Sequence, residues 1–162
     1  MTLDEVHELF RYNAWANRML FEALSGIPDA EYLRDLKSSH GGIHGTLAHL
    51  VWAEALWLAR WQARPNPAVP QGQDLHSLAD VRARWEEIEA ERSAWLAGFT
   101  DEWLNGTVKV KPTTGGEYLH TYRQMFRHLI NHSSYHRGQV ITMLRQLGHR
   151  PPSTDLILFY RQ

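Results

Sequence analysis

The chain has 162 residues, of which 43% are hydrophobic and 22% charged, with a formal net charge of -1. These values are typical of one globular domain and exclude a largely disordered chain, and without a basic surplus we expect no nucleic-acid partner. The sequence contains no cysteine, so any transition metal must be held by histidine, carboxylate or water.

No apolar run approaches the roughly 20 residues that span a bilayer, and the N-terminus lacks the charged and apolar regions of a signal peptide. We therefore expect a cytoplasmic protein with no membrane partner. Seven tryptophans in a chain of this size indicate an aromatic-rich core, a pocket or a buried subunit contact.

The first predicted helix spans residues 3–25, after a Thr-x-x-Glu capping box and before Gly26 and Pro28. Asn13 and Asn17 fall on its apolar stripe. Buried amides must be hydrogen-bonded, so these two either satisfy neighbouring groups in the bundle or line a polar pocket. We predict Asn13, Asn17 and Trp52 as pocket candidates for a substrate or cofactor.

A second helix is predicted over residues 43–63, with apolar residues on two faces. This pattern is typical of a helix that packs in its own bundle and also meets a second subunit, so we expect a homodimer. His49 lies near the middle of an apolar face and is a candidate metal ligand. His40 and His44 lie near the helix start, where exposed or capping roles are expected. Glu54 is a candidate to pair with an arginine or to orient a ligand.

Residues 64–76 contain three prolines and cannot continue a helix. A connection this long can cross one end of a bundle, so the helices on either side can run in the same direction. The next helix is predicted to start at Ser77. Alternating residues at 108–111 and 117–120, with turn-forming residues between them, predict a small β-hairpin.

The last long helix is predicted over residues 121–147, and the apolar segment within residues 153–162 is expected to pack back over the bundle. This helix carries His132 and His136, four residues apart and therefore on one side. Both project into or beside the apolar stripe of this helix. His128 lies outside the edge of that stripe and is a weaker candidate for a metal ligand.

A single histidine on an apolar face is usually a hydrogen-bonded core residue. Two imidazoles on one inward face need partners that an apolar core does not supply, and His49 offers a third from another helix. His49, His132 and His136 therefore predict a three-histidine site with a position open to water or substrate. Zinc, nickel and iron are all compatible with these ligands.

Several familiar metal sites do not fit this pattern. Ser133 follows His132 directly, so the His-Glu-x-x-His motif of metalloproteases is missing. The paired Glu-x-x-His motifs of di-iron bundles are missing as well. His132 and His136 share one helix and cannot flank a single haem iron.

The sequence resembles the DinB/YfiT family of metal-binding four-helix bundles over nearly its whole length. The resemblance rests on four segments: Tyr12 to Asn17, His49 to Glu54, Asn131 to Gln139, and Thr154 to Leu156. It implies an all-α, single-domain, up-down-down-up four-helix bundle over residues 1–162, commonly a homodimer. It also implies a divalent ion at His49, His132 and His136.

Related families are similar to metal-dependent transferases that use low-molecular-weight thiols such as bacillithiol or mycothiol. The leading hypothesis is therefore an enzyme that activates a thiol or water at the metal and presents it to a small-molecule substrate. The alternatives are a metal-binding stress-response dimer without turnover and a structural dimer with incidental histidines. The sequence assigns no catalytic residue beyond the metal ligands, and Tyr135, Arg137 and Gln139 are expected in orienting or interface roles.

Overall fold

The computed structural model describes residues 1–69, 75–112 and 115–162, so parts of the proline-rich connection and of the predicted hairpin turn lie outside the described residues. The four long helices are α1 (Leu3–Leu24), α3 (Ile43–Trp61), α4 (Leu78–Leu96) and α5 (Tyr122–Gln146). Shorter elements are α2 (Asp29–Tyr32), α6 (Leu156–Phe159) and a 3₁₀ helix (Asp101–Asn105). The predicted all-α class is confirmed.

Three of the long helices begin at a capping box, as the sequence predicts for the first of them. At α1 the Thr2 hydroxyl accepts from the backbone N–H of Glu5, and the Glu5 carboxylate accepts from the Thr2 backbone N–H at 2.7 Å. Ser77 and Thr121 begin α4 and α5 in the same way. Each box satisfies backbone donors that the first helical turn leaves unpaired, which fixes where the helix begins.

The directions of the long helices follow from two successive levels of contacts. The first level joins Trp61 to Phe10, Trp95 and Phe126, and the second joins Glu54 to Asn13, Arg92 and Ser133. From the first level to the second, residue numbers fall in α3 and α4 but rise in α1 and α5. The bundle is therefore up-down-down-up, as expected.

The predicted hairpin is present. Strand β1 (Thr107–Val110) pairs antiparallel with β2 (Tyr118–Thr121), with Val110 opposite Tyr118. The Tyr122 hydroxyl, at the start of α5, donates to the carbonyl of Trp61 at 3.1 Å. The hairpin therefore packs at the end of the bundle where α3 finishes.

Both apolar faces of α3 are used within the chain, since the helix packs against α4 and α5. The two-faced pattern therefore requires no second subunit by itself, and the homodimer stays a prediction. The C-terminal segment packs back on α1, where the Phe159 ring lies 6.0 Å from the ring of Tyr12. Within the described ranges, no helix is both long and apolar enough to cross a membrane.

Candidate metal centre

Helices α3 and α5 bring the three predicted histidines together. Between ring centroids, His49 lies 4.6 Å from His136 and 5.2 Å from His132, and the two α5 histidines lie 4.4 Å apart. The two helices run antiparallel, and His49, in the first half of α3, lies opposite the middle of α5, where His132 and His136 are one turn apart.

The closest contact in the cluster joins two ring nitrogens. The Nε2 atoms of His49 and His132 are 3.2 Å apart. Two nitrogens bound to one tetrahedral zinc ion, each about 2.0 to 2.1 Å from the metal, lie about 3.3 Å from each other. The spacing of this pair therefore fits an ion held between the two rings.

A fourth imidazole, His40, also belongs to the cluster. One ring nitrogen from each of His40, His49 and His136 lies within 4.8 Å of the others, so this three-histidine group could hold a metal ion. The His40 ring stacks on His49, with centroids 4.0 Å apart and planes 15° from parallel. Two alternative triads share His49 and His136: His40 completes the group that meets this spacing, and His132 completes the predicted one, which stays a prediction.

The segment before α3 holds His40 in this place. Ser38 and Gly41 form a β-bridge, and Gly41 adopts a φ of +81°, which glycine accepts without strain. A Cβ atom at Gly45 would lie 1.9 Å from the carbonyl oxygen of His40. Only glycine at position 45 therefore allows the backbone of His40 to approach α3 this closely.

The environment favours the neutral form of His40, His49 and His132. Burial, followed by the neighbouring histidines, lowers the pKa of His49 to about 4 and the pKa of His132 to about 3. Burial likewise lowers the pKa of His40 below its ordinary value. A neutral imidazole has a free lone pair, which is the form that binds metal ions.

Gln139 orients the ring of His136. Its side-chain oxygen lies 2.7 Å from Nδ1 of His136. Because an amide oxygen can only accept, this contact places a hydrogen on Nδ1, so the neutral form of the ring has its lone pair on Nε2. The Nδ1 atom of His132 is buried and has no hydrogen-bond partner among the described residues.

Asn13 and Asn17 lie in a buried polar network that joins the four long helices. Glu54 forms an ion pair with Arg92 at 2.5 Å, and both residues are 1% exposed. The other oxygen of Glu54 accepts from Nδ2 of Asn13 at 2.9 Å and of Asn17 at 3.5 Å. The oxygens of both amides accept from Arg137.

Trp52, the third pocket candidate, lies at the edge of the cluster. Its ring centroid is 6.0 Å from that of His49, and its indole N–H donates to the carbonyl of Pro67. It lines a cleft of about 220 Å³ with residues of α3, α4 and the connection between these helices. Trp52 is therefore beside the histidines, whereas the two asparagines already have protein partners.

Comparison with known proteins agrees with this architecture. The family model of the DinB family matches residues 1–162. The chain belongs to the DinB family. It is 26% identical to Protein DinB of Bacillus subtilis (strain 168) over 161 residues, covering 96% of this chain and 94% of that protein. It is also 26% identical to the uncharacterized protein YizA of the same organism, covering 93% of this chain and 92% of YizA.

Two features of this DinB-family chain were not predicted from its sequence. His40 was expected to be exposed or to cap a helix, but it is half-buried against His49. Sequence spacing carried no signal for it, because the residue lies in a connection and not on a helical stripe. The partner of Glu54 was also unidentified, although a buried acid on a core-facing position indicated that an arginine would be near.

Proposed function

We propose that this chain is a metal-dependent enzyme whose divalent ion is held by His49, His132 and His136. The observation that carries the proposal is the 3.2 Å separation of Nε2 in His49 from Nε2 in His132, on two different helices. Neutral imidazoles on facing helices leave room for a further ligand, which is the arrangement of catalytic rather than structural zinc sites.

The ring planes favour His132 over His40 as the third ligand. A metal ion binds in the plane of an imidazole, along the lone pair of its nitrogen. The nearly parallel planes of His40 and His49 are stacked, so their lone pairs do not converge. The planes of His49 and His132 are inclined by 50°, which allows their lone pairs to meet.

The protein's own residues prepare the site in two ways. Gln139 holds the hydrogen of His136 on Nδ1, which leaves Nε2 as the donor atom. The stacked ring of His40 covers one face of His49 and limits the approach of water from that side. When bound, a divalent ion lowers the pKa of a thiol or water molecule and makes it a nucleophile near neutral pH.

We infer that the bound nucleophile is a low-molecular-weight thiol, such as bacillithiol or mycothiol, or a water molecule. The substrate is a small electrophile that reaches the histidines from the side of Trp52, which lies half-exposed beside His49. The ion is zinc, nickel or iron, since imidazole binds all three well. A cytoplasmic homodimer remains part of the proposal.

Metal analysis of protein purified without a histidine tag tests the site. We expect about one equivalent of a divalent transition metal per chain, and its loss in His136→Ala. The matched control is His76→Ala, because His76 is exposed and lies before α4, outside the cluster. Less than about 0.1 equivalent of metal in the parent protein, unchanged by His136→Ala, would exclude the site.

Turnover separates an enzyme from a metal-binding stress-response protein without activity. The metal-loaded protein would be assayed for conjugation of bacillithiol and mycothiol to several classes of electrophile, and for hydrolysis. We expect activity that disappears in His132→Asn and persists in His76→Ala. Full metal occupancy without turnover in any of these assays would favour the non-catalytic alternative.

A further inference from the structure

A second cleft lies between the C-terminal end of α3 and strand β1, and its volume is about 590 Å³. Four of its lining residues are cationic: Arg60, Arg64, Lys109 and Lys111. No acidic residue belongs to the lining that the structure describes. The volume falls in the range of about 300 to 1,000 Å³ that is usual for small-molecule sites.

Nearby acidic groups neutralise only part of this positive charge. Glu117 pairs with Lys109 at 2.7 Å and with Lys111 at 3.5 Å, and Glu91 pairs with Arg64 at 2.6 Å. The C-terminal end of α3 adds about half a negative charge through its unpaired carbonyls. The cleft therefore keeps a net positive charge, which Arg60 and the two lysines that share Glu117 carry about equally.

Arg60 has the features of an incompletely satisfied anion receptor. Among the described residues it forms no ion pair with a carboxylate, and its Nη2 lies 3.4 Å from the carbonyl oxygen of Lys111. Its Nε is buried and has no acceptor in the part of the chain that the structure describes. The guanidinium lies 4.9 Å from the centroid of the Trp57 ring, which holds it in place. Burial lowers the pKa of Arg60, as expected where no anion compensates its charge.

We propose that this cleft binds a small anion through a carboxylate or phosphate group held by Arg60, with Lys109 and Lys111 at its rim. A guanidinium offers several donors in a fixed plane and suits both groups. The site is distinct from the histidine centre, because Arg60 lies eleven residues after His49, about 16 Å along the helix axis. The proposal therefore does not depend on the proposed metal chemistry.

A small molecule fits this cleft better than a nucleic acid. A polyanion would need cationic groups beyond the cleft to neutralise successive phosphates. The carboxylates of Glu91 and Glu117 are 44% and 42% exposed beside the cations, and they would repel such a chain. A single carboxylate or phosphate group can be bound by the donors of one guanidinium and does not require cations beyond the cleft.

The test is titration of the full chain with inorganic phosphate and, separately, with succinate at low ionic strength. Calorimetry would give the affinity, and NMR would follow the Nε–H resonance of Arg60. We expect saturable binding of at least one anion, weakened about tenfold or more in Arg60→Gln, which loses a charged donor. The matched control is Arg82→Gln, which removes an exposed arginine paired with Glu86 on α4 and leaves the affinity unchanged.

A second variant keeps the test informative if Arg60→Gln disturbs folding by removing the guanidinium from the Trp57 ring. The double variant Lys109→Gln with Lys111→Gln changes side chains that are 61% and 75% exposed, and we expect it to weaken binding severalfold. Zinc retention should be unaffected in all of these variants, and His136→Ala should still bind the anion.

Three results would overturn the proposal. The first is that the NMR shift of the Arg60 Nε–H resonance does not saturate with either anion. The second is that Arg60→Gln folds and binds the anion with the same affinity as the parent protein. The third is binding of a single-stranded DNA oligonucleotide, lost in Arg60→Gln and tighter than that of either small anion, which would assign the cleft to a nucleic acid.

Discussion

The histidine centre and the buried polar network share helices α3 and α5, but their polar groups are satisfied in opposite ways. His132 and His136 each precede a network residue, Ser133 and Arg137, and consecutive helical residues point about 100° apart. On the network side, Glu54 accepts from side chains on all three of the other long helices. On the histidine side, several ring nitrogens face one another.

The difference separates residues that stabilise the fold from residues that are available to a ligand. A buried charge with protein partners is costly to disturb, because removing one partner leaves the other unpaired in a poorly solvating interior. The neutral imidazoles of His49 and His132 can share one hydrogen bond when no metal is bound, and they can instead offer their lone pairs to an ion. Changes on the two sides should therefore have different consequences, stability on one and metal affinity on the other.

The largest expected effect is on the network side. Glu54→Gln leaves Arg92 buried without its counter-charge, and we expect the free energy of unfolding to fall by about 3 to 5 kcal/mol. Urea denaturation measures this change. The control is Glu87→Gln, which breaks an exposed pair with Arg84 and should cost less than about 1 kcal/mol. Similar losses of unfolding free energy in Glu54→Gln and Glu87→Gln would show that the buried Glu54–Arg92 pair stabilises the fold no more than an exposed pair does.

The next effect distinguishes the two possible triads on the histidine side. We expect His132→Asn to weaken zinc binding more than about 100-fold, beyond the range typical of losing an outer hydrogen bond. His40→Asn should change the affinity far less, because its stacked ring does not direct a lone pair toward the ion. Competition with a chelator of known affinity measures both. The opposite order would make His40 the third ligand.

A smaller effect is expected from Gln139→Ala, which removes the acceptor that orients His136. Loss of such a partner typically weakens metal binding about 10- to 100-fold, and stability without metal should change little. Gln146→Ala on the same helix is the control, since that side chain is exposed at the end of α5. Equal zinc affinity in the Gln139 variant and the parent would show that Gln139 does not orient the ligand.

The smallest effect concerns pH. The pKa values of His49 and His132 are about 4 and 3 in the folded protein, against about 6.5 in an unfolded chain. Between those values the unfolded state binds more protons, so acidification lowers the free energy of unfolding of the metal-free protein. From neutral pH to about pH 5.5 we expect less than about 1 kcal/mol per histidine, because both rings are partly exposed to water.

The double variant His49→Asn with His132→Asn should show a flatter dependence of unfolding free energy on pH over the same range. Urea denaturation of metal-free protein at several pH values provides the comparison. An equal slope in the variant and the parent would mean that these imidazoles titrate alike in the folded and unfolded states.

The sequence by itself determined the four long helices, their approximate ends and the histidine pair of α5. These features depend on local spacing: capping boxes fix helix starts, the 3.6-residue period places His132 and His136 on one side, and alternation gives the hairpin. His49 could also be selected, because a histidine on an apolar helical face is conspicuous. The direction of the third long helix was suggested by the length of the connection before it.

Only the tertiary structure decided which polar groups meet. The stacking of His40 on His49 depends on the path of a connection and on the absence of a Cβ atom at Gly45, neither of which has a periodic signal. The pairing of Glu54 with Arg92 joins residues 38 positions apart on different helices. Spacing along a helix shows which way a side chain faces, whereas its partner depends on how the helices pack.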